Sequence, residues 1–218
     1  PLIACAVVKN VKIDDDFIIQ MVQLQEKVGE TFGRKRKETG IGLYDFDIMH
    51  PPIHYKGFKD NQIEFVPLEW KVPMRPSEIL KQHEKGKAYA HLLEGNTYYP
   101  IVIDSKKVVA SMPPIINSHE TAKVDVHHRD LFIEVSGKNL HLLDLILKVL
   151  VTSFSEMGAH AEKVKVEYEE NDEVYELSLS SWFDEISVEF VNKLIGFTIS
   201  DAECMELLHK MMYGVEKI

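Results

Sequence analysis

Two segments of helical period stand far apart in this chain, and most of what lies around them has the period of strands. The first helical segment starts at Asp14-Asp15-Asp16, runs through Phe17, Met21, Leu24, Val28 and Phe32, and stops at Gly33. Its opening carboxylates sit where a helix N-terminus favours negative charge. The second runs from about Leu140 to Met157, with Leu143, Ile146, Leu147, Leu150, Val151 and Phe154 as its apolar face and Gly158 as its close. Residues 2–8 form an apolar run long enough for a central strand. From Tyr98 to Val135 strands are predicted at 99–103, 108–111, 121–126 and 131–135, with Pro113-Pro114 forcing an extended bend between two of them. The class is therefore α/β (α+β): two helices of roughly five turns against mixed or antiparallel strands.

The remaining segments are shorter. Arg34-Lys35-Arg36-Lys37 is a basic run directly after the first helix, and residues 40–47 read as strand into turn. Pro51-Pro52, Pro67, Pro73 and Pro76 punctuate an irregular middle, where Ser77 reads as the N-cap of a short helix ending near Gly86. Residues 163–168 and 174–179 alternate about a turn and predict a hairpin. After it the character changes: 188–195 is weakly helical, and Ser200-Asp201-Ala202-Glu203 is a capping box for another helix. A boundary is expected near 184–190, giving one domain over 1–185 and the beginning of another over 186–218.

Lys and Arg number 25 against 35 Asp and Glu, a net charge of −10. Bulk electrostatic capture of nucleic acid needs clustered positive charge, so this chain does not hold RNA by that means alone. Its two cysteines, Cys5 and Cys204, are far apart and lack metal-ligating neighbours, which indicates neither a disulfide scaffold nor a zinc site. A reducing, cytoplasmic setting fits. No apolar run reaches eighteen residues, so no membrane span is expected. The chain begins with Pro1, carries no signal peptide, and reads as a piece of a longer polypeptide.

Nucleophile-elbow, serine–lysine and phosphate-cradling glycine patterns do not occur in the sequence. His127-His128 are adjacent and would face opposite sides of a strand, while His50 and His54 lie in a Pro-rich loop, so the histidines read as surface residues and no metal is expected. The basic run is a candidate phosphate contact, or a solvated helix end whose cations complement the dipole. The sharpest polar feature lies in Phe132-Ile133-Glu134-Val135-Ser136, where Glu134 and Ser136 share one face of an apolar strand and Ser111 ends a neighbouring one.

Several strings, in order, carry a resemblance. Ala110-Ser111-Met112-Pro113-Pro114-Ile115-Ile116-Asn117-Ser118 resembles the S-M-P-P-I-I-N-G segment of the phenylalanyl-tRNA synthetase β subunit of archaeal/eukaryotic type. Leu24-Gln25-Glu26-Lys27 with Arg34-Lys35-Arg36 is similar to that family's L-Q-E-K-L helix and R-K-R turn. Gly42-Leu43-Tyr44-Asp45-Phe46-Asp47 is similar to its I-G-x-x-D-L-D, and Leu131-Phe132-Ile133-Glu134-Val135-Ser136-Gly137 also fits. The likeness spans roughly residues 1–183, and Asn192-Lys193-Leu194-Ile195-Gly196 looks like the start of the next β-subunit domain.

The resemblance implies a three-layer β/β/α editing module containing a β-sandwich, followed by the start of a helical domain. It implies hydrolysis of the ester in tyrosyl-tRNA(Phe), returning tyrosine and free tRNA. A pocket selected for phenylalanine rejects an added hydroxyl poorly, whereas a second site can reward that hydroxyl with a polar partner. Leaving such a partner unpaired costs on the order of 1–3 kcal/mol, roughly a tenfold to hundredfold preference. Carried over by position, Glu134 would accept the phenolic hydroxyl or orient a water, Ser111 and Ser136 would hydrogen-bond substrate or water, and Val102 would wall the pocket. Asn117 and His119 are further substrate-binding candidates, and Arg34, Lys35 and Arg36 would meet the tRNA backbone. The family often has Leu at the Val102 position and Asp-x-Thr-Gly where this chain reads Glu134-Val135-Ser136-Gly137. Editing would need no cofactor. The parent would use ATP and Mg for charging, with an α subunit in a two-α, two-β assembly. The other reading is a structural, tRNA-docking module with a degenerate pocket.

Overall fold

The opening apolar run becomes β1 (Leu2–Lys9), buried from Ile3 to Val8, in a computed structural model that describes residues 2–124, 127–169 and 172–218. After it come α1 (Asp15–Glu30), β2 (Thr39–Asp45), β3 (His54–Phe58), α2 (Pro76–Gln82) and α3 (Glu84–Tyr89). These lead to β4 (Tyr99–Ile103), β5 (Val109–Met112), β6 (Ile116–Asn117), α4 (His119–Ala122), β7 (Leu131–Gly137) and α5 (Leu140–Glu156). β8 (His160–Lys163), β9 (Val166–Tyr168) and β10 (Glu173–Tyr175) follow, then α6 (Val188–Ile195) and α7 (Asp201–Lys210). The chain divides into two units, residues 1–178 and 179–218.

In the first unit, β2-β7-β1-β8 form an antiparallel sheet and β3-β4-β5-β6 a second one. Because successive strand residues face opposite sides, β1 and β7 divide their apolar residues between two cores. Ala4, Ala6, Val8, Leu131, Ile133 and Val135 pack on α5 through Leu143, Ile146, Leu147, Leu150, Val151 and Phe154, with Phe17 and Val28 of α1 beside them. Each buried Val, Leu, Ile or Phe among them contributes roughly 1.5–3 kcal/mol. The alternate residues Ile3, Cys5, Val7 and Phe132 face the second sheet and meet Val102 and Ala110. The far side of the second sheet, with Ile101, Ile103 and Met112, is covered by Phe65, Met74, Ile79 and Leu93. Helices, first sheet and second sheet thus stack in three layers, with the two sheets as a sandwich. This is the α/β (α+β) class expected from the periodicity, in the three-layer β/β/α arrangement that the resemblance implies.

Local departures have physical causes. The 121–126 strand is not formed: Ser118 caps α4 by accepting from the Glu120 N–H, and Thr121 turns inward to donate to the Ala110 carbonyl at 3.2 Å. Asp125 and Val126 of that expectation lie outside the described residues. Ser77 is inside α2, not its cap. The helix begins at Pro76, whose missing N–H suits a first position, and Arg75 takes the cap position. His83, accepting from the Lys85 N–H, breaks the expected helix into α2 and α3. The hairpin is present but short, since β9 and β10 pair over three residues each and Lys163 belongs to β8, which pairs with β1. Residues 170 and 171 of its turn lie outside the described residues.

α1 ends at Glu30, and Phe32 is 49% exposed. The expected stop at Gly33 falls three residues late, since Thr31 caps the helix; Gly33 lies in the turn beyond, where a Cβ would lie 2.5 Å from the Gly29 carbonyl oxygen. Arg34, Lys35 and Arg36 then adopt φ values of 46°, 56° and 62°, three consecutive left-handed residues. Such residues are costly without glycine, so something must hold this turn. In the second unit, α6 closes on Gly196 at φ 80°, and the Ser200–Glu203 capping box of α7 is formed.

Candidate functional site

The only glutamate of β7 lies where the two sheets face one another. Glu134 is directly opposite Cys5 of β1 and Gly42 of β2, while Ser136 is opposite Ile3 and Gly40. Residues opposite in an antiparallel pair share a face, so this whole set looks toward the second sheet. From that sheet, Val102 of β4 pairs with Tyr55 of β3 and Ser111 of β5, and Ser111 pairs in turn with Asn117 of β6. Between Val102 and Ile103 the register shifts, because Val109 and Ser111 are the consecutive partners and Ala110 is extra. That bulge brings Ala110 and Ser111 together to the inter-sheet side.

A tyrosine without any distinguishing mark in the sequence ties the two sheets together. The Tyr44 hydroxyl lies 2.7 Å from Glu134 Oε2 and 2.8 Å from Ser111 Oγ. A phenol has one proton, and an ionised carboxylate can only accept. Tyr44 therefore donates to Glu134, and Ser111 donates to the phenol oxygen. The Tyr44 ring stacks on Phe132 with 6.2 Å between centroids. Its place depends on Gly42, two residues earlier on the same face: a Cβ at 42 would lie 1.8 Å from the phenol oxygen.

Burial dominates the electrostatics. Glu134 is 1% exposed, and desolvation pushes its pKa up to about 6, opposed by the hydroxyls of Ser136, Tyr44 and Ser111. Of these, only Tyr44 makes a direct hydrogen bond to the carboxylate, on Oε2. Among the described residues, Glu134 Oε1 and Thr39 Oγ1 are the buried side-chain polar atoms left without a partner. Desolvation and the Glu134 charge raise the phenols of Tyr44 and Tyr55, the latter tempered by the Ser136 hydroxyl. They raise the Cys5 thiol as well, so Cys5 stays protonated and is no nucleophile.

Above Ser136 sits the turn between β5 and β6. A Cβ on Gly40 would lie 3.1 Å from Pro114 and 3.3 Å from Ser136 Oγ, so the proline packs directly onto this end of the site. The turn is held from outside by Arg36, which donates to the carbonyls of Pro114 at 3.2 Å and Ile115 at 2.9 Å and stacks 4.6 Å over the Tyr89 ring.

Of the residues singled out from the sequence, Glu134, Ser136, Ser111 and Val102 therefore converge, all buried. Asn117 is half-buried beside Ser111, and its carbonyl accepts from the Leu68 N–H. His119 is exposed at the start of α4. In the basic run, Arg34 and Lys35 are exposed, whereas the Arg36 guanidinium is committed to the Pro114 turn. Arg34 also borders a surface pocket of about 480 Å³ with Thr31, Phe32, Glu38, Asn139 and Leu142. Tyr44, Tyr55 and Cys5 are the members of the site that sequence reasoning misses. The available signal for Tyr44 is the Gly-x-Tyr spacing, which puts an absent side chain beneath a large one. Among the described residues no group of three or more His, Cys, Asp or Glu is placed to hold a metal. His50 and His128 instead pair with Asp104 and Asp45, each at 3.2 Å.

Comparison with known proteins agrees with this architecture. No protein-family model matches the chain. The phenylalanine–tRNA ligase β subunit of Pyrococcus horikoshii is 43% identical over 211 residues, covering 97% of this chain and 38% of that protein. That of Archaeoglobus fulgidus is 38% identical over 216 residues, covering 99% of this chain and 39% of that protein. The chain thus spans about two fifths of the length of these curated relatives. A crystal structure of an N-terminal fragment of the P. horikoshii β subunit superposes over the whole chain and 62% of the fragment, at a TM-score of 0.92 and 41% identity. Sequence and fold together place the chain in the phenylalanine–tRNA ligase β-subunit family, as a segment matching part of the N-terminal region of its members.

Proposed function

We propose that this chain is the editing module of the ligase, hydrolysing the ester of tyrosyl-tRNA(Phe) to tyrosine and free tRNA. The observation that carries this reading is Glu134: a fully buried carboxylate whose Oε1 has no partner, set between Ser111 on one sheet and Ser136 on the other. A buried acceptor left unsatisfied favours a ligand that brings a donor. A phenolic hydroxyl does so, and a phenylalanine side chain does not. Ser111 and Ser136 are then available to the ester or the attacking water, and Val102 lines the wall between them. Asn117 and His119 extend the substrate side, and the terminal hydroxyl of the tRNA assists the water.

Arg34 and Lys35 would meet the tRNA backbone. The α subunit would be the partner, and charging, with its ATP and Mg, would belong to the parent enzyme outside this segment. The test is release of tyrosine from preformed tyrosyl-tRNA(Phe) by the reconstituted α/β enzyme, with phenylalanyl-tRNA(Phe) as control. Selective tyrosine release supports editing. Replacing the esterified terminal adenosine by one lacking its vicinal hydroxyl should slow release; an unchanged rate would remove the tRNA hydroxyl from the mechanism.

One observation favours a second reading. The Tyr44 phenol already occupies Glu134 Oε2, and Val102, Ser111 and Ser136 beside it are buried. A pocket filled by the protein's own phenol is what a docking module without editing activity would keep. Intact charging with no hydrolysis of tyrosyl-tRNA(Phe) by the unmodified enzyme would support it.

A further inference from the structure

The carboxylate that the editing reading assigns to a substrate phenol already accepts, on its other oxygen Oε2, from a phenol of the protein. We infer that Tyr44 is a built-in occupant of the phenol subsite at Glu134, and that a substrate side chain enters only as the Tyr44 ring leaves. This rests on the editing reading. Three features support it. The Tyr44 hydroxyl contacts Glu134 and Ser111, one residue from each sheet. The ring is fully buried, stacked on Phe132 and packed in the inter-sheet cluster with Val102 and Ala110. Gly42 provides its space and forbids any side chain of its own there.

Tyr44 thereby becomes a specificity-determining residue. When its ring leaves, Glu134 gives up the hydrogen bond to Oε2 as well as lacking one on Oε1. A tyrosyl side chain restores it. A phenylalanyl side chain fills the same volume and leaves the buried carboxylate bare, a difference of roughly tenfold to hundredfold in binding. An internal competitor raises the threshold for every entrant, and only a hydroxylated ring regains the bond to Glu134.

The experiment uses the full β subunit with its α subunit, in four forms: unmodified, Tyr44→Ala, Tyr44→Phe and Tyr44→Ala/Glu134→Gln. Two probes separate the claims. The first is calorimetric binding of p-cresol, with toluene as the ring that lacks the hydroxyl. The expected result is p-cresol binding by Tyr44→Ala beyond that of the unmodified enzyme, at least tenfold tighter than toluene, with the preference abolished in the double variant. The second is kinetics on tyrosyl-tRNA(Phe). Tyr44→Phe keeps the ring and the packing but removes the hydroxyl that holds it shut, so KM falls about tenfold while kcat holds. Unchanged or raised KM in Tyr44→Phe, together with no added p-cresol binding in Tyr44→Ala, overturns the inference even where the unmodified enzyme edits. Glu134-dependent p-cresol binding without hydrolysis by any form upholds the occupied subsite and overturns the editing reading instead.

Discussion

Arg36, in the left-handed turn after α1, reaches across to the carbonyl of Pro114, in the turn between β5 and β6, at 3.2 Å. One residue of the basic run is thus a strut rather than a free cation. Pro114 packs on Gly40, the β2 partner of Ser136, so the strut fixes the roof over one end of the candidate site. Arg36→Ala should destabilise by about 1.5–3 kcal/mol, the range for hydrogen bonds to charged groups. Arg36→Lys should recover little, because an ammonium cannot both fork to two carbonyls and stack on Tyr89. Denaturant unfolding of the three proteins checks this.

Gly42 and Tyr44 are coupled by volume. Gly42→Ala places a methyl group where the Tyr44 phenol lies and should cost at least about 1–3 kcal/mol. Adding Tyr44→Ala removes the clash, so the double variant should be destabilised by less than the sum of the single ones. A double-mutant cycle measures that coupling. Additive effects would mean that the ring has another place to go.

Acid should stabilise the site. The Glu134 pKa is about 6 in the fold against the ordinary 4.5, so between those values the native state holds more proton than the unfolded chain. The contribution is fully present below pH 4.5 and is lost as pH rises through 6, amounting to about 2 kcal/mol. The unfolding free energy of Glu134→Gln should lack this fall between pH 4.5 and 7, when compared with the unmodified protein across that window.

Arg34 and Lys35 remain as exposed cations beside the turn that Arg36 anchors. Under the proposed function, Arg34→Ala/Lys35→Ala should weaken tRNA capture and flatten its dependence on log salt by about one unit for each phosphate these cations would have neutralised. Filter binding at several salt concentrations reads both quantities. Equal slopes would make these residues a solvated helix end.

The frame of the molecule is legible because it follows from local period. β4 matches its expected range, and β7 and α5 match theirs closely, since the two strands are short apolar runs buried on both faces and the apolar residues of α5 repeat at three to four. Glu134 stands out as one carboxylate in an apolar strand. α4 defeats a reading by propensity because Thr121 and Val124 favour strands, while the Ser118 cap decides the backbone. Tyr44 looks like any strand tyrosine; its role depends on β2 pairing with β7, ninety residues away in sequence at the Tyr44–Glu134 contact. Nothing in Arg34-Lys35-Arg36-Lys37 distinguishes the strut from its neighbours, because the distinction lies in where the turn aims each side chain.

The most direct test of the account compares the unmodified reconstituted α/β enzyme with Glu134→Ala in deacylating preformed tyrosyl-tRNA(Phe), with phenylalanyl-tRNA(Phe) alongside and charging measured in parallel. The account predicts that tyrosine-selective hydrolysis disappears in Glu134→Ala while charging stays intact. Equal tyrosine release by the two enzymes would contradict it, because the buried carboxylate would then have no part in recognising the substrate.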